Sequence, residues 1–307
     1  MHPALSVIVF TVCSGAGFGL LTLMGLASLQ GVAPSFWFLF VAFGLGFALS
    51  VGGLVSSTFH LGHPERAWRA LSQWRTSWLS REGILAIAAL AVNGLYALLW
   101  TFFAMPLWPL GLVGAALALL TVWATGMIYA QIKAVRLWHR ILTPVCYLIF
   151  SLASGALVFL ALHGLFAGTA GPFVSSVAMV ALVVAWAAKL WWWYRGDRIP
   201  ALSTTETATG LGRIGRTRLL EPPHTGSNYL LREMGFRIAR KHASKLRWIA
   251  LILGAVLPVA LVLVALALPL HGFWLVLAVA VHLAGMLVER WLFFAEAQHA
   301  VMTFYRS

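Results

Sequence analysis

The chain has 307 residues, of which 61% are hydrophobic and only 9% charged, with a formal net charge of +13. A soluble domain carries about 25% charged residues, and a larger core cannot account for the deficit, because its surface would still need polar cover. The composition excludes a soluble globular protein and predicts an all-α integral membrane protein, since apolar runs of about 20 residues suit helices and are too long for barrel strands.

Eight spans are predicted in chain order, at 4–29, 34–59, 83–106, 108–131, 143–168, 172–194, 247–269 and 272–297. No twin-arginine or cleavable signal is visible before Leu5, so the first span is expected to stay as a helix. The links after spans one, three, five and seven are short and uncharged, whereas those after spans two, four and six are basic. Loop 60–82 holds Arg66, Arg69, Arg75 and Arg81, and loop 132–142 holds Lys133, Arg136 and Arg140. Loop 195–247 adds eleven basic residues, which brings these loops to 18 of the 21 Lys and Arg; Lys189, Arg290 and Arg306 lie near the same side. Short basic loops face the cytoplasm, so the predicted orientation is N-in and C-in. A weak echo between "HPALSVIVFTVCSGAG" and "TPVCYLIFSLASGA" suggests two four-helix halves, 1–131 and 132–307.

Loop 195–247 is rich in Gly, Thr and Pro until "LLREMGFRIARKHASKLRW", which reads as a basic amphipathic helix. Its excess charge suits membrane lipid headgroups, at about 1 kcal/mol per basic residue near an anionic leaflet. It suits a protein partner equally well. No nucleic acid is expected among the partners.

Ionisable residues inside a membrane are the first functional candidates, because a charge at the bilayer centre costs at least about 2.5–3.5 kcal/mol. His60 falls at the end of span two and Glu82 at the start of span three, on either side of a re-entrant-like turn containing Trp68, Trp74 and Trp78. Together they could flank one pocket at the membrane boundary and handle the protons of an apolar redox substrate such as a quinone. They could equally cap helices or pair with Arg66, Arg69 or Arg81. His63 and Glu65 complete an HxxHxE pattern with His60, but no second His/Cys cluster supplies further ligands, and no metal is expected. Glu289 and Arg290 of span eight read either as a local ion pair with a snorkelling arginine or as a proton route. His163, His282 and His299 are the histidines that could ligate a haem b, which is not expected. Cys13 and Cys146 sit in apolar helices with no CxxC or CxxCH nearby, so the chain has no cysteine set for an iron–sulfur cluster or a c-type haem.

Three segments carry a family resemblance: "HLGHPERAWRAL…WLSRE" at 60–82, "WHRILTPVCYL" at 138–148 and "LAGMLVERWLFF" in the last span. With them, nearly the whole chain resembles the membrane-anchor subunits of the DMSO reductase family of molybdenum enzymes. The resemblance implies a bacterial inner-membrane anchor that exchanges electrons between a quinone (ubiquinone or menaquinone) and an iron–sulfur subunit. A molybdopterin catalytic subunit would lie beyond that, with both partners on the cytoplasmic face. By motif, the family's quinone-site histidine and glutamate fall on His60 and Glu82, with Arg81 and Trp78 expected to line the same pocket. Arg66, Arg69, Arg136 and Arg140 are expected to dock the partner. The family's last-helix acid stands three residues before Glu289, where this chain has Met286. The second motif and the long basic loop look most like anchors of cytoplasmic sulfite-oxidising complexes, which implies sulfite oxidation with quinone reduction. The alternatives are a quinol-oxidising anchor of a sulfoxide reductase and a transporter. The one-sided charge speaks against a transporter, which would place polar groups near the midplane.

Overall fold

A computed structural model of the chain describes residues 4–30, 34–200, 204–218, 220–221 and 242–297. Among these residues there are eight helices long and apolar enough to cross a membrane. They are α1 (Leu5–Ala27), α2 (Phe36–Ser56), α3 (Trp78–Phe103), α4 (Trp108–Ala130), α5 (Leu142–Ala167), α6 (Pro172–Asp197), α7 (Ala243–Ala267) and α8 (His271–Ala295). Local chemistry sets their starts. The Ser35 hydroxyl accepts from the Phe38 amide at 3.2 Å to open α2. Proline occupies the first turn of α4 and of α6, where its missing N–H costs nothing. The expected basic amphipathic helix lies, over 230–241, outside the described residues, and α7 begins at Ala243.

The two most enclosed helices, α1 and α5, cross at the centre of the bundle. Between membrane helices, small residues permit close approach, and dispersion and hydrogen bonds supply the attraction. A Cβ on Gly155 would fall on the backbone of Gly19, and one on Gly19 would fall on the Ser151 carbonyl. The Ser151 hydroxyl donates to the Gly15 carbonyl at 2.7 Å and completes the crossing. Gly155→Val should therefore lower the thermal midpoint in detergent sharply, by an amount at or above the usual overpacking cost of about 1–3 kcal/mol. Gly44→Val, where an added Cβ meets nothing within 4 Å, should leave the midpoint nearly in place. Equal midpoints for the two variants would mean that the crossing is looser than drawn.

Helix α7 contains a π-turn at Ile252–Val256, just before Pro258. Proline has no N–H, so it cannot donate to the carbonyl four residues back, that of Gly254. That oxygen instead accepts from the Trp186 indole of α6 at 2.9 Å, and the His282 ring of α8 lies 2.7 Å from it. The broken helical bond is thus replaced by two cross-braces, as burial among neighbouring helices requires.

Helix alternation puts the described parts of the basic loops at one end of the bundle. There Arg247 makes paired contacts to Asp197 at 2.7 and 2.8 Å and a third to Glu296 at 2.8 Å, tying together the ends of α6, α7 and α8. Glu296 lies just past α8, and burial pushes its carboxyl above the ordinary range, which the Arg247 contact partly opposes. The stretch read as a re-entrant-like turn contains two 3₁₀ helices, Ser57–His60 and Pro64–Gln73, and the second buries no residue.

Candidate functional site

Helix α3 begins at Trp78, five residues earlier than the sequence suggested, because Ser77 caps it by accepting from the Ser80 amide at 3.5 Å. Glu82 therefore lies in the second turn of α3, about 6 Å along the axis from its start, and is only 4% exposed. Its carboxylate meets the hydroxyl of Thr125 on α4. Thr125 Oγ1 also lies 3.1 Å from the Thr121 carbonyl. A threonine hydroxyl has one proton to give and lone pairs to receive. With Glu82 ionised, Thr125 donates to it. With Glu82 protonated, the acid donates to Thr125, which turns to the Thr121 carbonyl. Both protonation states are satisfied without a change of fold, as a group that accepts and releases protons in a dry setting requires.

The other expected site residues separate into distinct roles. Arg81, next to Glu82, points away from it: its guanidinium donates to the carbonyls of Trp74 and Arg75 at 2.9 and 2.7 Å and lies over the Trp78 ring at 4.4 Å. Arg81 and Trp78 thus fasten the 3₁₀ segment to α3. His60 ends the Ser57–His60 turn; its side chain lies outside the described residues. Arg66 and Arg69 are exposed, and Arg69 stacks on Trp68 at 5.6 Å. Arg136 and Arg140 are partly engaged within the chain, donating to the carbonyls of Pro200 and Trp192, each at 2.7 Å. His63 is exposed beside Glu65 at 3.1 Å. No group of three His, Cys, Asp or Glu residues stands together among the described residues. The two ring nitrogens of His282 face Ser154 at 2.9 Å and Gly254 at 2.7 Å, His163 faces the Thr169 carbonyl, and His299 lies outside the described residues.

A second polar centre lies deeper in the bundle. Glu289 and Arg290 of α8 are 0% and 3% exposed, so this arginine does not snorkel. Lys189 of α6, 2% exposed, joins them. Its Nζ lies 2.5 Å from Glu289 Oε1, and Arg290 Nε lies 3.0 Å from Glu289 Oε2. Aromatic faces complete the solvation: Lys189 Nζ sits 3.9 Å from the centre of Trp192, and the Arg290 guanidinium 4.0 Å from that of Tyr147.

The "WHRILTP" segment closes this centre from the loop side. The Trp138 indole donates to the Phe293 carbonyl of α8 at 2.9 Å. Thr143 donates to the Trp138 carbonyl at 2.8 Å and accepts from the Trp192 indole of α6 at 3.2 Å. Pro144 packs so closely on α4 that a Cβ on Gly126 would strike it. The motif is thus a knot joining α4, α5, α6 and α8.

Among the described residues, eight apolar helices enclosing a buried carboxyl and a buried ion cluster define a polytopic helical membrane protein. Residues 1–295 match the family model described as DMSO reductase anchor subunit (DmsC), and the chain belongs to that family. It is 34% identical, over 326 aligned positions, to the C subunit of the sulfite dehydrogenase of Allochromatium vinosum, a match that spans 100% of this chain and 99% of that one. It is 30% identical to the anaerobic dimethyl sulfoxide reductase chain YnfH of Escherichia coli over 49% of this chain and 54% of that one. To the C polypeptide of the anaerobic dimethyl sulfoxide reductase of E. coli it is 29% identical, over 59% and 65% respectively. No solved structure matches the chain.

Proposed function

We propose that this anchor subunit passes electrons between a membrane quinone and an iron–sulfur partner, with Glu82 and His60 managing the protons of the quinone. The observation that carries the reading is the Glu82–Thr125 pair, a buried carboxyl in contact with a hydroxyl that can serve it in both protonation states, within the segment that resembles the family's quinone motif. Quinone reduction consumes two protons with two electrons, and a carboxyl placed this way can supply one and be reprotonated. A quinone would bring its own redox chemistry; this chain's part is to deliver the proton and exclude bulk water.

The preferred direction is sulfite oxidation feeding the quinone pool, supported by the full-length likeness to a sulfite dehydrogenase subunit. The partial matches to sulfoxide reductase chains keep the reverse direction as the second reading. In this reading the basic loops face the cytoplasm of a bacterial inner membrane. The exposed arginines Arg66 and Arg69 then meet the iron–sulfur subunit, and a molybdopterin subunit lies beyond it. The test is the complex purified with His60→Ala in this chain. Quinone reduction by sulfite should fall while sulfite oxidation with an artificial dye persists. Unchanged quinone turnover would remove His60 from the site, and purification of the chain without any iron–sulfur partner would overturn the anchor reading.

A further inference from the structure

Where α1, α4, α5 and α8 meet lies a small cavity of about 20 Å³, lined by Thr125, the partner of Glu82, and by Arg290 of the ion cluster. Thr11, Ser14, Thr125, Ser151, Tyr147 and Arg290 contribute its polar wall. On the α1 and α5 side, Thr11, Ser14 and Ser151 give their hydroxyl protons to the carbonyls of Ile8, Phe10 and Gly15 at 3.1, 2.7 and 2.7 Å. Their oxygens keep lone pairs for a donor. Donors come from α5 and α8. The buried Tyr147 hydroxyl makes no well-formed hydrogen bond, and Arg290 has N–H groups beyond the Nε that meets Glu289. Acceptors and donors around one cavity with room for one water are the conditions under which a buried water is held.

The charges point the same way. Lys189, Arg290 and Glu289 sum to one excess positive charge inside the bundle, and an uncompensated buried charge is costly. Glu82 is joined to the cavity wall by Thr125, and Arg290 of the cluster lines the same cavity. Tyr129 from α4 and Tyr147 from α5 each interact electrostatically with both Glu82 and Arg290 of α8. Helix α1 faces the cavity with the hydroxyls Thr11 and Ser14, and the His60 side chain lies outside the described residues.

We propose that this junction binds one ordered water that links Glu82, through Thr125, to Tyr147 and Arg290, so that the Lys189–Glu289–Arg290 cluster is the fixed counter-charge of the Glu82 carboxyl. Arg290 and Tyr147 are then positioning residues for a proton carried elsewhere. When Glu82 takes up a proton, one O–H bond forms, no electron moves, and the cluster's positive charge is left unbalanced until that proton departs.

The inference builds on the proposed role of Glu82, yet its test reads the carboxyl directly. The intact complex in nanodiscs is titrated by infrared spectroscopy, with the Glu82 band identified by its loss in Glu82→Gln. Arg290→Gln should displace the pH midpoint of that band by on the order of one unit, as loss of a nearby charge does. Arg290→Lys should restore most of the wild-type midpoint. Tyr147→Phe, which keeps every charge and removes one hydroxyl, should displace it by less. Midpoints that coincide with wild type in both Arg290→Gln and Tyr147→Phe would overturn the proposal. Where Arg290→Gln does not accumulate, Tyr147→Phe decides alone. If the midpoint responds but Glu82→Gln leaves quinone turnover intact, the counter-charge stands and the quinone role of Glu82 falls.

Discussion

Glu289→Ala is expected to be the most destructive single substitution in the bundle. The carboxylate is fully buried and holds two cations, Lys189 at 2.5 Å and Arg290 at 3.0 Å. Removing it leaves two positive charges buried together. Breaking a buried pair from one side costs about 3–5 kcal/mol, against a total stability of about 5–15 kcal/mol for a typical domain. Little folded protein should survive extraction, and what survives should show a large drop in thermal midpoint on detergent size exclusion. Glu289→Gln should behave similarly, because it keeps the shape and loses the charge. Replacing all three members with methionine should recover much of the stability, since apolar side chains carry no desolvation cost there. A wild-type midpoint for Glu289→Ala would show that the three groups do not share the buried site drawn here.

Glu82→Gln should have the opposite profile. The amide oxygen still accepts from Thr125, and the charge it removes is one that protonation of Glu82 also removes, so the midpoint should fall far less than in Glu289→Ala. The proposed chemistry should nevertheless fail. Loss of a positioned proton donor typically costs 10²–10⁴-fold, so quinone reduction by the complex should fall into that range while dye-linked oxidation in the partner subunits continues. Two buried glutamates are thereby separated by experiment, one required for folding and one for turnover. Quinone turnover within a factor of two of wild type in Glu82→Gln would remove Glu82 from the chemistry.

Much of this was legible in the amino-acid sequence. The eight spans follow from hydropathy, and Glu82 stood out as a rare acid at a span edge within a family-like motif. Lys189 did not stand out. In "AWAAKLWWWYRGD" it counts as one more cation near the basic end, where long side chains ordinarily reach water. Only the packing of α6 on the bundle beside α8 places Glu289 against it. Glu289 and Arg290 were visible as neighbours, but sequence adjacency alone does not make a pair on a helix, and their joint burial depends on the aromatic cage around them. The early start of α3 turned on a single serine cap. The 3₁₀ course of Pro64–Gln73 buries no residue, so no core contact fixes its conformation in a way the sequence would reveal.

The irregular turn in α7 ties together residues that look unrelated in the sequence. Pro258 frees one carbonyl oxygen, and that oxygen is shared by Trp186 and His282 on two other helices. Three side chains on three helices therefore depend on a single acceptor, and what each contributes is not separable from the other two. Restoring an N–H at position 258 would set a third donor competing for the same lone pairs, so the residue with the poorest helix propensity in α7 is also the one that secures this helix to its neighbours.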